Sequence, residues 1–377
     1  MFMQKKIIKL FVFIIFCSLF INPISIRGIE YTSTFTEIGS IAPGTGIINM
    51  RFIENDLAFL AEISRGLTIY NITDPTNCFE LDYYSLPIVH DIELDLERKL
   101  VFITASTGVN IFNFSNPNQL ELLSVYLNYT TSTYIQLKGE LLFVGAENHG
   151  LQIVNVTDPN NPIMIDNWVD GVGHVGPVYV LDDFAFVGTR IPNIIGPPTA
   201  IDLKLLDISD PKNITHISTV DTGEGYDGGA PKAHYQDLVY FNDYTNGLKI
   251  LNFSDPLNIN VLGTYFDGGS INDVKLIDNE IAFIADDGEG LKVINCLDPK
   301  NPIKIGFYHH QWRTLRVAVK DDRVYLATLE GGVRILTTGI ITNAIPIHPL
   351  LICCSLTIVY IFLLYRMMRN KKVKKSF

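Results

Sequence analysis

Cysteine is scarce. There are five in 377 residues; Cys17, Cys353 and Cys354 lie in apolar terminal stretches, which leaves only Cys78 and Cys296 between them. Two thiols make no disulfide framework, and a chain of this length can bury a core without one. Charge is scarce too, at 18% against 47% hydrophobic residues, while Tyr and Phe together number 39. That balance excludes an intrinsically disordered chain. Helical periodicity is missing from residues 31–339. No H-E-x-x-H, G-x-S-x-G, Walker loop or helix-opening G-x-G-x-x-G occurs, so no catalytic residue is assigned. Asp286-Asp287-Gly288-Glu289 resembles part of a calcium loop but lacks its ligand spacing, and reads as a hairpin turn.

Acid is missing from both ends. None precedes Glu30 or follows Glu330, whereas Lys5, Lys6, Lys9 and Arg27 stand near the start and six bases close the chain. The interior therefore holds all 40 acidic residues and 19 basic ones, a formal charge of −21. So negative a body repels phosphates, which argues against nucleic acid as a partner. Residues 1–29 combine two early lysines with the apolar run 7–21, the pattern of a signal peptide or an uncleaved N-terminal anchor. Residues 349–365 carry no charge, and with the residues before them (343–365) are long enough to span a bilayer as a helix. The basic segment 366–377 follows at once, and by the positive-inside tendency stays cytoplasmic. The expected protein is single-pass in the cell membrane, with its body outside.

What is abundant is repetition. One phrase recurs as GLTIYNITDP (66–75), GVNIFNFSNP (108–117), GLQIVNVTDP (150–159), DLKLLDISDP (202–211), GLKILNFSDP (247–256), GLKVINCLDP (290–299) and a truncated GVRILTT (332–338). The starts are 42, 42, 52, 45, 43 and 42 residues apart. Each period holds four short apolar runs separated by Gly, Asp, Asn and Pro, as in 271–308, where strands are expected at 273–278, 280–285, 291–296 and 303–308. A four-stranded sheet repeated at this period predicts an all-β, seven-bladed β-propeller over 30–339. The last repeat offers three strands, and the orphan run 35–41 supplies a fourth. Pairing it with 333–336 would close the ring from both chain ends.

The phrase G-L-x-I-x-[ND]-[VIF]-[ST]-D-P, as in Gly150–Pro159 and Gly247–Pro256, resembles the LVIVD-repeat proteins, with Asn116, Asp202 and Leu297 departing from it. The resemblance covers about 31–338. It implies a propeller in an extracytoplasmic setting and carries no catalytic residues with it.

Within the phrase, Asp-Pro and the preceding Asn read as turn devices. Asn71, Asn113, Asn155 and Asn252 are also glycosylation sequons, but Asn128, in an expected loop, is the better glycan candidate. Loops between strands 1–2 and 3–4 share one face, and the Asp-Pro turns belong to it. Loops 2–3 and 4–1 form the other face and vary in length and composition. His90, His149, His174, His234, His309 and His310 are assigned there, six of the eight histidines. The candidate ligand-binding set at the channel mouth is His90, Asp91, His174, His234, Asn272, Asp273, His309 and Arg313. Its ligand would be an extracellular protein, a glycan or a divalent cation, since imidazoles and carboxylates suit such ions. The alternative is a lactonase-like, metal-dependent hydrolase built on the same residues.

Overall fold

The computed structural model describes residues 35–53, 56–126, 134–169, 171, 174–190, 201–221, 230–243, 246–277 and 280–338. The chain divides into Met1–Gly339 and Ile340–Phe377, and every described residue belongs to the first unit. The expected signal segment 1–29, the helix 343–365, the tail 366–377 and Asn128 lie outside the described residues.

Every regular element among the described residues is a strand. β1 is Phe35–Ile41. Blade 1 comprises β2 (Ile47–Ile53), β3 (Leu57–Glu62), β4 (Gly66–Asn71) and β5 (Phe79–Ser85). Blade 2 has β6 (Val89–Asp95), β7 (Leu100–Ala105), β8 (Gly108–Asn113) and β9 (Glu121–Tyr126). Blade 3 has β10 (Tyr134–Lys138), β11 (Leu141–Gly145), β12 (Leu151–Asn155) and β13 (Ile163–Trp168). Blade 4 has β14 (His174–Leu181), β15 (Phe184–Arg190), β16 (Ile201–Asp207) and β17 (Thr215–Asp221). Blade 5 has β18 (Ala230–Tyr235), β19 (Leu238–Asp243), β20 (Gly247–Asn252) and β21 (Asn260–Tyr265). Blade 6 has β22 (Ile271–Ile277), β23 (Ile281–Asp286), β24 (Gly290–Asn295) and β25 (Ile303–Tyr308). Blade 7 runs β26 (Thr314–Lys320), β27 (Arg323–Thr328) and β28 (Gly332–Thr338), and its outer strand is β1. The register runs from Phe35 opposite Thr338 to Ile41 opposite Val333. The ring is thus closed from both chain ends, as the orphan run 35–41 predicted, and no blade is left with an open seventh sheet.

Two-sided burial explains why the strands read as apolar runs rather than alternating ones. β3, β7, β23 and β27 are buried almost throughout. The core lies between blades: Phe59, Leu67 and Ile69 of blade 1 pack on Val89, Ile92, Val101 and Phe112 of blade 2, and comparable clusters join later pairs. Each second strand places one aromatic ring at the same register: Phe59, Phe102, Phe143, Phe186, Tyr240, Phe283 and Tyr325, all fully buried. Burying each such ring contributes about 1.5–3 kcal/mol.

The repeated phrase ends in the same local structure six times. The Asn or Asp side chain accepts the N–H two residues on, as in Thr73 to Asn71 at 3.0 Å and Thr157 to Asn155 at 2.8 Å. The next Asx repeats the device, with Thr76 N–H on Asp74 at 2.9 Å and Asn160 N–H on Asp158 at 3.0 Å. Two successive Asx turns therefore fix each reversal without tertiary help. The glycine that opens the phrase has its own constraint. Gly247 has a φ of +89°, and a Cβ there would stand 2.1 Å from the Tyr265 carbonyl oxygen. Neighbouring blades are latched by the same turns: Ser124 Oγ donates to the Pro159 carbonyl at 2.6 Å and Ser218 Oγ to that of Pro256 at 2.7 Å.

Candidate functional site

The seven inner strands surround a central cavity of about 400 Å³. Their side chains form two layers. Opposite the seven buried aromatics stand Arg51, Glu93, Gln136, Tyr179, Ala233, Lys275 and Ala318. One pleat nearer the variable face come Asn49, Asp91, Tyr134, Pro177, Pro231 with Lys232, Asp273 and Arg316. β2, β6, β14, β18, β22 and β26 each carry a bulge close to this upper layer. A bulge inserts one residue and changes which side chains point inward.

Of the predicted mouth residues, the cavity is lined by Asp91 and Asp273. Both carboxylates are occupied in joining blades. Asp91 Oδ1 accepts the Ile92 N–H at 2.9 Å and the Asn49 amide, and its Oδ2 accepts the Ile135 N–H of the next blade at 3.0 Å. Asp273 Oδ2 accepts the Val317 N–H, again one blade on, at 3.1 Å. Asn272 donates to the Thr314 carbonyl of the next blade at 2.7 Å and to Asp287 of its own blade at 3.2 Å.

The other predicted residues are dispersed. His90 is half-buried in the β6 bulge outside the cavity lining; burial lowers its pKa, with Glu147 and Asp91 opposing. His174 opens β14 opposite Arg190, and its side chain is outside the described set. His234 is corrected to the other end of its strand. It is the penultimate residue of β18, toward the 1–2 turn, exposed, with Nδ1 2.8 Å from the Tyr179 hydroxyl. The strand begins at Ala230, so His234 stands four residues in, past Pro231 and Lys232, which line the cavity, and past Ala233, which packs on the core between blades 5 and 6. His309 is exposed beside a separate hollow of about 260 Å³ with Glu289, Lys292, Lys304 and Phe307. Arg313 is engaged by Asp287, its Nε lying 3.0 and 3.1 Å from the two carboxylate oxygens.

The neighbouring histidine, His310, is buried. Its Nδ1 accepts the Trp312 N–H at 3.1 Å and its Nε2 lies 3.1 Å from the Thr314 hydroxyl, an arrangement for the neutral ring. Burial first, then the Arg334 charge, pushes its pKa down to about 4. The acids of this face are also committed: Lys292 is held by Asp286 at 2.9 Å and by Asp267 at 2.5 Å. Burial opposes ionisation of Asp267, but Lys292, Tyr265 and Lys304 outweigh it and hold that carboxyl well below the usual range. Among the described residues no three His, Cys, Asp or Glu side chains converge so as to hold a metal ion. The ligand set required by a divalent cation, and by the hydrolase alternative, is not assembled from them.

Reading the first residues of each strand missed the charged lining deeper in the channel. Arg51 donates to Glu93 at 2.9 Å across blades 1 and 2. Burial works against the Arg51 charge, but Glu93 and Asp91 more than offset it, so its pKa is raised. Glu93 is raised by burial, with Arg51 opposing. Lys232 and Arg316 lie in the upper layer, and neither has a carboxylate within ion-pair distance among the described residues; Arg316 donates only to the Leu315 carbonyl, at 2.8 Å. Burial and then Arg316 push Lys232 down to about 8, with Asp273 and Asp91 pulling the other way.

The fold thus defines a seven-bladed β-propeller. Solved structures share it. The β-propeller domain of Myceliophteria thermophila Cps50 (Swd1) is similar over 81% of this chain and 99% of its own, with a TM-score of 0.62 at 11% identity. The computationally designed Ika8 protein is similar over 80% and 99%, with a TM-score of 0.56 at 13% identity. No protein-family model matches the chain, and no curated protein does.

Proposed function

We propose that this chain is a membrane-anchored propeller of LVIVD type, displayed outside the cell, that binds an extracellular protein or glycan through the face formed by loops 2–3 and 4–1. The observation that carries this reading is Ile88, in the 4–1 loop entering blade 2. It has a φ of +47° and leaves 61% of its surface in solvent. A β-branched residue in the left-handed region is a conformational outlier, and local strain of this kind clusters at binding sites. Ile63, Val169 and Phe266 are exposed in other loops of the same face. Exposed apolar side chains on a rigid scaffold suit protein recognition.

The anchoring rests on the sorted charge, with an uncharged segment at 349–365 followed by six bases. Among the described residues no helix is long and apolar enough to cross a membrane, and that segment lies outside them.

Photo-crosslinking on intact cells tests the binding face. A crosslinking residue at Ile88 or Phe266 should give discrete adducts, and one at Leu257, exposed on the turn face, should not. Adducts at Leu257 alone would reverse the assignment. A C-terminal tag protected from external protease, while propeller epitopes stay accessible, is the expected topology; a tag lost with the propeller would refute it.

A further inference from the structure

The central cavity offers cations that have no ion-pair partner, in a body that is otherwise acidic. Its charged lining is Arg51, Lys232, Lys275 and Arg316 against Asp91, Glu93 and Asp273. The carboxylates have other partners: Glu93 pairs with Arg51 at 2.9 Å, and Asp91 and Asp273 accept backbone N–H groups at 3.0 and 3.1 Å. Lys232, Arg316 and the more exposed Lys275 remain, and Lys232 and Arg316 are close enough for the Arg316 charge to depress ionisation of Lys232. Lys232 projects from a bulge flanked by Pro231, which narrows the backbone choices that could carry it elsewhere. An ammonium and a guanidinium facing one space with no carboxylate at ion-pair distance are only partly compensated, Asp273 and Asp91 acting on Lys232 from further off. They also form a point charge and a planar fork of the kind that takes up a phosphate or carboxylate. Tyr134, Gln136 and Tyr179 add polar side chains around the same space. At about 400 Å³ the cavity has room for a small organic molecule and is too confined for a protein domain.

We infer that the channel is an anion site, in which Lys232 and Arg316 together hold a small phosphate- or carboxylate-bearing molecule between blades 5 and 7. The site is independent of the loop face proposed above, because it uses none of the same residues.

The test is a thermal-unfolding and calorimetric titration of the full chain in detergent, with sodium phosphate in one arm and sodium succinate in the other. Sodium chloride at matched ionic strength is the reference. Saturable heat and a Tm rise above the chloride reference in either arm are expected, and the stronger arm assigns phosphoryl or carboxylate chemistry. Lys232→Met and Arg316→Met should each weaken that binding about tenfold or more, while Lys232→Arg retains it. In anion-poor buffer Lys232→Met should raise Tm, because an uncompensated charge has been removed; this separates lost binding from lost folding. No response to either anion, or equal responses in wild type and both Met variants, would overturn the inference. So would a lower Tm for Lys232→Met in anion-poor buffer.

Discussion

The six Asx-Pro turns and the seven inner strands belong to the same set of repeats, yet they vary in opposite ways. At the turns the residues and the hydrogen bonds recur together: Asn71, Asn113, Asn155, Asp207, Asn252 and Asn295 each accept the N–H two residues on. At the channel the backbone position recurs but the side chain does not, so one layer reads Arg51, Glu93, Gln136, Tyr179, Ala233, Lys275 and Ala318. A residue kept in every blade is answering a need of the blade. A residue that differs from blade to blade is free of that need, and only there can an asymmetric charge such as that of Lys232 arise. The repeat itself thus separates scaffold from site without reference to any other sequence.

The strongest way to break the comparison is to strike the repeated rung behind the channel. Phe283→Ala should lose about 3–5 kcal/mol by denaturant unfolding, since Phe283 is fully buried behind Lys275. A loss below about 1 kcal/mol would mean that the seven aromatics are not the common packing element. Next in size is Asp91→Ala, which leaves the buried Ile135 N–H and the Asn49 amide unpaired and should cost about 2–3 kcal/mol. Near-neutrality would show that Asp91 is not a blade latch, and would return it to the candidate ligand groups.

Acid titration separates the two faces by pH window. His310, on the variable face, has a folded pKa of about 4 against an ordinary 6.5. The fold therefore holds the neutral ring. Its contribution is complete above pH 6.5 and is lost as pH falls through that value toward 4. The turn carboxylates Asp74, Asp207, Asp255 and Asp298 are lowered chiefly by side-chain hydrogen bonds to Thr76, Ser209, Asn258 and Asn301. Their contribution persists above the ordinary carboxylate range and is lost only in stronger acid. Unfolding midpoints followed from pH 7 to 3 should fall in two stages, and His310→Gln should remove the upper one. A single stage unaltered in that variant would contradict the neutral, buried ring.

Blade number, ring closure by Phe35–Ile41 and the turn chemistry were all legible in the chain, because each rests on local signals repeated six or seven times. The channel was not, for a reason visible in its backbone. Six of the seven inner strands bulge. One inserted residue exchanges the two faces of a strand, so strict alternation does not carry across the bulge between Pro231 and Ala233, where the adjacent Pro231 and Lys232 both line the cavity. The buried aromatic of each second strand was a usable marker. Phe59, Phe102, Phe143, Phe186, Tyr240, Phe283 and Tyr325 recur at the blade period and would have set the register of the facing inner strand.

The smallest expected effect is the sharpest check on the turns. Asn155→Ala removes the acceptor for Thr157 N–H, a single 2.8 Å bond at the protein surface. Water can replace that bond in part, so the cost should be about 1 kcal/mol. The matching change at Asn71 should cost a similar amount, and the double variant should show the sum, because the two turns lie in different blades and share no partner. The same pair also tests the glycan reading of these sequons. If the polypeptide alone, made without any glycosylation machinery, loses stability in both single variants, the asparagines are required by the turn itself. If the loss appears only in glycosylated material, the repeated phrase would be serving the sugar, and the separation of scaffold from site by repetition would fail at the residues where it looks clearest.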